Sequence, residues 1–229
     1  MKLTFYFIYN KNDVAERKEK EKKEFYFRSL FQTVIINQDG VAIKAINEDT
    51  EDELFFANQL SWQISYPFFA IALDDFQKKH HLTTKKWHDL LYNDFLYKEQ
   101  DKTLLTALQA YNDKNYIAMC YIAIPLIENG LRNVLILCDQ SVYEENKHNA
   151  FESISLSRIL VDLNNYLTDD IIFHFRFVLN EKAGLNLRNI LSHGLMSDKE
   201  FNERTSLTLL HTLMILKCLV NFDPQKNIN

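Results

Sequence analysis

The sequence predicts an all-α protein, and three observations lead there. The 229 residues include only four glycines and three prolines, whereas sheets joined by tight turns consume such residues freely and helical bundles need them only at element ends. Apolar residues make up 47% of the chain and charged ones 25%, which supports a packed core and argues against wholesale disorder. Most apolar runs recur at helical rather than alternating spacing.

Taken in order, Leu3 to Tyr9 is a short apolar and aromatic run that fits either a strand or a first helical turn. Glu16 to Glu24, ERKEKEKKE, reads as a solvated helix with ion pairs four residues apart; its glutamates largely cancel the lysines that would otherwise suggest an RNA tether. Glu24 to Ile35, EFYFRSLFQTVI, carries aromatics at helical spacing and predicts a packed helix, followed by a turn at NQDG, Asn37 to Gly40. A long helix is expected from a cap near Thr50, with Glu51 and Glu53 in its first turn complementing the dipole. Pro67 should kink or break it. His80, His81 and His88 could be imagined as metal ligands, but adjacent histidines point to different faces and the spacing fits surface or cap positions better.

Lys102 to Tyr111 and a helix ending near Cys138 form a predicted helical hairpin around NDKN. The second helix is apolar nearly all round, so it should be the buried central one. Asp139 to Asn149 is expected to be a polar loop. Two amphipathic helices follow, FESISLSRILVDLNNYL and DDIIFHFRFVLNEK, in which His174 and Arg176 alternate with aromatics and His174 reads as a satisfied semi-buried histidine. After Gly194, the run containing Leu207, Leu210, Met214 and Leu216 to Val220 makes a last core helix, in which His211 is structural; the tail after it should fray. A division near residue 100 would separate an N-terminal helical region, 1–100, from a C-terminal bundle, 101–229.

The formal net charge of −5 provides no global basic field for nucleic acid, although a local groove can be basic on an acidic protein. Cys120, Cys138 and Cys218 are odd in number, widely spaced and set in apolar runs, so they read as buried free thiols of a reducing compartment. The N-terminus fails as a signal peptide, and YIAMCYIAIPLI, the nearest thing to a membrane span, is too short. The expected location is cytoplasmic, away from the membrane.

Polar chemistry concentrates in GLNLRNILSHGL, Gly184 to Leu195. It sets Arg188, Asn189 and His193 in an apolar run, with Gly194 directly after the histidine. This stretch resembles the motif of the HEPN superfamily, the higher eukaryotes and prokaryotes nucleotide-binding helical domains. Upstream, IPLIENGLRNVL resembles a helix of one subgroup, the domain-of-unknown-function 4209 family, some sixty residues before an NLRNxxxHG-like ending. The resemblance covers about residues 100 to 222. It implies a compact helical bundle of HEPN type. It further implies a metal-independent endoribonuclease needing no cofactor, of the sort found in toxin–antitoxin and antiviral systems, acting on single-stranded or tRNA-like RNA. It implies a homodimer whose two motifs face each other across a cleft, and an antitoxin or regulatory protein as a further partner. Some members of the superfamily are inactive or only bind RNA or nucleotides.

The residue chemistry points the same way. Imidazole titrates near neutral pH, so His193 can act as general acid or base. Arg188 is always charged, and its planar fork can hold two phosphate oxygens as charge builds. Attack by the ribose 2′-hydroxyl would leave a 2′,3′-cyclic phosphate and a 5′-hydroxyl, which confines the substrate to RNA. On a regular helix, positions five apart sit about 140° apart around the axis. The helix is therefore expected to end or distort between Arg188 and His193, with Gly194 supplying a left-handed cap that lets them meet and Asn189 holding them.

Glu128 and Arg132 lie four apart on the apolar central helix and should be paired. They are either a buried ion pair fixing helix register or a pair that orients Arg188 or His193. Asn186 and Ser192 read as secondary contacts or as simple caps. The alternative to a nuclease is a non-catalytic helical module that binds RNA, a nucleotide or a protein partner.

Overall fold

The computed structural model describes residues 10–24, 32–36, 40–47, 50–145, 147 and 149–220. Over these the chain is predominantly helical, with two small antiparallel hairpins added. Leu3 to Tyr9 and the last nine residues lie outside them.

Helix α1 (Lys11–Glu24) is the charge run, anchored through buried Val14. Part of the helix expected over residues 24–35 lies outside the described residues. The remainder departs from expectation: β1 (Thr33–Ile36) pairs antiparallel with β2 (Ala42–Ile46). Val34, Ile35 and Ile36 are β-branched and alternate between half-buried and exposed positions, which favours a pleated strand over a helix.

Helix α2 (Glu51–His80) starts after Thr50 as expected but runs unbroken through Pro67. Pro67 and Gln63, whose carbonyl loses its helical donor, are both exposed, so the unpaired carbonyl is not sealed in the core. His81 closes the helix in the left-handed conformation. Helix α3 (Thr84–Leu91) begins with the Thr83 hydroxyl accepting from the Lys86 N–H.

The hairpin of α4 (Asp101–Asn112) and α5 (Tyr116–Leu137) forms where the sequence places it. The Asn115 side chain caps α5 by accepting from the Ala118 N–H at 3.1 Å. Helix α5 is central, packed between α4 and the last helix, α9 (Glu203–Leu219). At 22 residues and a mean hydropathy of 1.3, α5 is long and apolar enough to cross a membrane by length and composition, which the shorter run within it is not; half of that window is buried in the core.

The polar loop expected over 139–149 is in part a second hairpin, β3 (Tyr143–Glu145) with β4 (Phe151–Ser153). All six strand residues are exposed, so the sequence carries no alternating signal there. Phe151 to Ser153 therefore belong to a strand, and α6 (Leu156–Leu163) starts only after Ser155, whose hydroxyl accepts from the Arg158 N–H. Helix α7 (Asp169–Phe175) passes directly into a π-helical turn, Arg176–Asn180, where a single helix had been expected. The motif forms a short helix, α8 (Leu187–Ser192).

One hydrophobic core takes residues from both sides of residue 100. Phe55 of α2 stacks on Phe173 of α7 at 4.4 Å, and Trp62 and Phe69 of α2 pack on His211 of α9. His174 and His211 are buried together with ring centroids 5.3 Å apart, and His174 Nε2 lies 3.4 Å from the Thr212 hydroxyl. Burial, and then the neighbouring His211, push the His174 imidazole well below its ordinary pKa. The cysteines are free thiols; Cys120 is buried, while Cys138 and Cys218 are only half-buried.

Candidate functional site

The motif's local structure begins before α8. Gly184 is buried, and a Cβ there would collide with the backbone of Phe177, so only glycine lets the chain pass so close to the π-helical turn. The Leu185 N–H then donates to the Phe177 carbonyl at 2.7 Å. Asn186 enters α8 in the left-handed conformation, φ 52°, which asparagine tolerates better than most residues. Its Oδ1 accepts from Asn189 Nδ2 at 2.7 Å, and the same amide donates to the Asn180 carbonyl at 3.1 Å. Asn189 thus ties the motif helix to the π-helical turn. Its own Oδ1 accepts from Arg188 Nη1 at 3.3 Å, so it also holds the arginine. The Ser192 hydroxyl donates back to the Asn189 carbonyl.

Arg188 reaches across to the central helix. Its Nε donates to Glu128 Oε2 at 3.1 Å, while Glu128 Oε1 accepts from Arg132 Nη2 at 3.3 Å. The two arginines therefore share a single carboxylate. Both readings of Glu128 and Arg132 meet here: they are an ion pair along the helix and also hold Arg188. Donors remain unengaged on both guanidinia among the described residues, including the buried Nε of Arg132. These groups line an open groove of about 460 Å³ together with Tyr121, Ile124, Pro125, Leu191 and Ser192.

Within one chain Arg188 and His193 share neither a hydrogen bond nor the lining of the groove. The His193 N–H still donates to the Asn189 carbonyl at 3.1 Å, so the helical ladder continues through the histidine. The left-handed residue, Gly194 at φ 66°, comes one position later and closes the helix, with Leu195 N–H donating to the Ile190 carbonyl at 2.8 Å. Arg188 consequently faces the groove, whereas His193 is exposed and lies outside its lining.

No protein-family model, curated protein or solved structure matches this chain.

His80 and His81 are exposed. His88 Nε2 lies 2.9 Å from Asp101 Oδ1, and among the described residues no three His, Cys, Asp or Glu side chains are grouped to hold a metal ion. Three residues of the site were not singled out by sequence: Asn180, whose carbonyl anchors Asn189, and Tyr121 with Phe201, whose rings stack at the groove's edge. Tyr121 shares the helical face of Glu128 and Arg132, at seven and eleven positions' spacing, and that periodicity could have revealed it.

Proposed function

We propose that the protein is a metal-independent endoribonuclease of HEPN type, acting as a toxin or antiviral effector. The observation that carries this reading is the shared carboxylate: Arg188 is oriented by Glu128 and Asn189, yet keeps guanidinium donors free toward an open groove. A clamped cation with unused donors is suited to a phosphate whose charge grows in the transition state. His193 supplies the proton transfer, taking a proton from the ribose 2′-hydroxyl or giving one to the leaving 5′-oxygen. The products are a 2′,3′-cyclic phosphate and a 5′-hydroxyl.

Within one chain His193 stands off the groove. The proposed assembly is a homodimer in which a second copy of the motif completes the site, so that the histidine acts next to an arginine of its partner. Static light scattering tests this: a strict monomer at the concentration of the cleavage assay overturns the shared cleft. An antitoxin or regulatory protein is the proposed restraint on the activity, and the proposed setting is the cytoplasm.

The off-groove position of His193 also favours a second reading, in which the groove binds RNA or a nucleotide without cutting it. Wild type and His193→Ala, each incubated with single-stranded RNA in EDTA, separate the two. Cleavage by the wild type that falls roughly 10²-fold or more in the variant supports the nuclease. Cleavage by neither leaves the binding module, and equal cleavage by both overturns His193 as the catalytic group.

A further inference from the structure

We infer that the groove seats an unpaired nucleobase on the ring of Tyr121, with the adjoining phosphate at Arg188 and Arg132. The inference rests on RNA being the groove's ligand, as proposed above, and extends that reading to the side chain that holds the base. Tyr121, Pro125, Glu128 and Arg132 follow one another at four, three and four positions and so line one face of α5. Tyr121 is 53% exposed, yet its ring is backed by Phe201, with centroids 5.8 Å apart and planes 19° from parallel. An aromatic held in this way offers a stacking surface at little entropic cost. Pro125 has no N–H, so the Tyr121 carbonyl lacks its regular helical donor and stands as an acceptor beside the ring. Seven residues of helix, about 10 Å of rise, separate Tyr121 from the carboxylate shared by the two arginines, a span of nucleotide size.

An aromatic platform at one end and under-compensated guanidinia at the other match the two parts of a single strand, base face and phosphate. Paired bases in a duplex are stacked on their neighbours and do not present a face to the groove, so the substrate class is single-stranded RNA or an unpaired loop.

The test uses the full chain carrying His193→Ala, so that bound RNA is not cut. Binding of a labelled single-stranded oligoribonucleotide is followed by fluorescence anisotropy at fixed salt. Tyr121→Ala and Tyr121→Leu should each weaken binding about tenfold or more, because both remove the π face. Tyr121→Phe should bind like the parent, and a duplex of the same sequence should bind weakly with no dependence on residue 121. Undiminished binding by the alanine and leucine variants, a loss in Tyr121→Phe as large as in Tyr121→Ala, or no binding of single strands by the parent each overturns the inference. Failure of the nuclease reading looks different: the wild type leaves RNA intact while Tyr121-dependent binding persists. Conversely, cleavage by the wild type with binding that ignores residue 121 removes the stacking site and leaves the nuclease.

Discussion

Two arginine-lined openings of similar size lie on this protein, and they differ in charge balance. In one, of about 420 Å³, Arg176 of the π-helical turn donates to Glu181 at 2.7 Å and to Glu51 at 2.7 Å, sits 5.1 Å from the Phe55 ring centroid, and shares Glu51 with Lys11. Two cations there face three carboxylates, Glu51, Glu181 and Asp169. Burial works to raise the Glu51 carboxyl, but the bonds and charges of Arg176 and Lys11 outweigh it and hold the group below its ordinary value. Burial likewise disfavours the charged guanidinium of Arg176, and its carboxylate partners overcome that and raise its pKa. In the other opening, Arg188 and Arg132 share Glu128 alone. The first is a clasp joining α1, α2 and the π-helical turn. The second keeps a positive excess on a chain whose net charge is −5. An arginine bonded to carboxylates through all three of its nitrogens holds a fold together, while one with a nitrogen left unengaged is available to a ligand.

The two arginines are expected to differ most in activity. Arg188→Ala should lower kcat/KM for RNA cleavage roughly 10²–10³-fold, and Arg188→Lys should recover little of it because a lysine cannot reproduce the planar fork. Arg176→Ala should leave cleavage by the folded fraction unchanged. Equal losses at the two positions would show that the charge balance does not distinguish them.

A smaller effect, in the opposite order, is expected in stability. Arg176→Ala leaves Glu181 without its ion-pair partner and Glu51 with Lys11 alone, and urea denaturation should find it destabilised by roughly 1–3 kcal/mol after allowance for solvent screening at a half-exposed site. Arg188→Ala should lose less, because Glu128 keeps Arg132.

The smallest effect is graded with pH and concerns the segment that carries the clasp. His174 precedes Arg176 by two residues and is buried with its pKa depressed well below 6.5. It stays neutral in the folded state while the unfolded chain takes up the proton. Stability is therefore full above about pH 6.5 and declines as pH falls below it; Glu51, with its lowered pKa, adds a further loss below about pH 4.5. Urea midpoints measured between about pH 7.5 and 5 should fall for the parent and fall less steeply for His174→Leu. Parallel slopes would mean that His174 titrates alike in both states.

Much of the fold was legible in the sequence wherever one periodicity dominated. Helix α2 begins just after Thr50, α5 is central because it is apolar nearly all round, and the chain turns at Asn115 between α4 and α5. Reading failed where local signals were short or absent. Residues 33–36 sit beside an aromatic run that suggested helix, yet the partner strand at 42–46 decides their state. Every strand residue of the β3–β4 hairpin is exposed, which leaves no alternation to read.

The candidate site divides in the same way. The local sequence was enough to mark Arg188, Asn189, His193 and Gly194 as one polar group in an apolar helix end, and Glu128 with Arg132 as a pair, because helical spacing and charge pairing act over a single turn. Tertiary structure alone decided that Glu128 meets Arg188 sixty residues later, and that Asn189 is tied to the π-helical turn. It also placed Gly194 after the His193 N–H bond to the Asn189 carbonyl, where it closes the helix and leaves His193 outside the groove's lining. Those outcomes depend on how α5, α8 and the π-helical turn pack around a shared core, and packing between distant segments leaves no periodic trace in the chain.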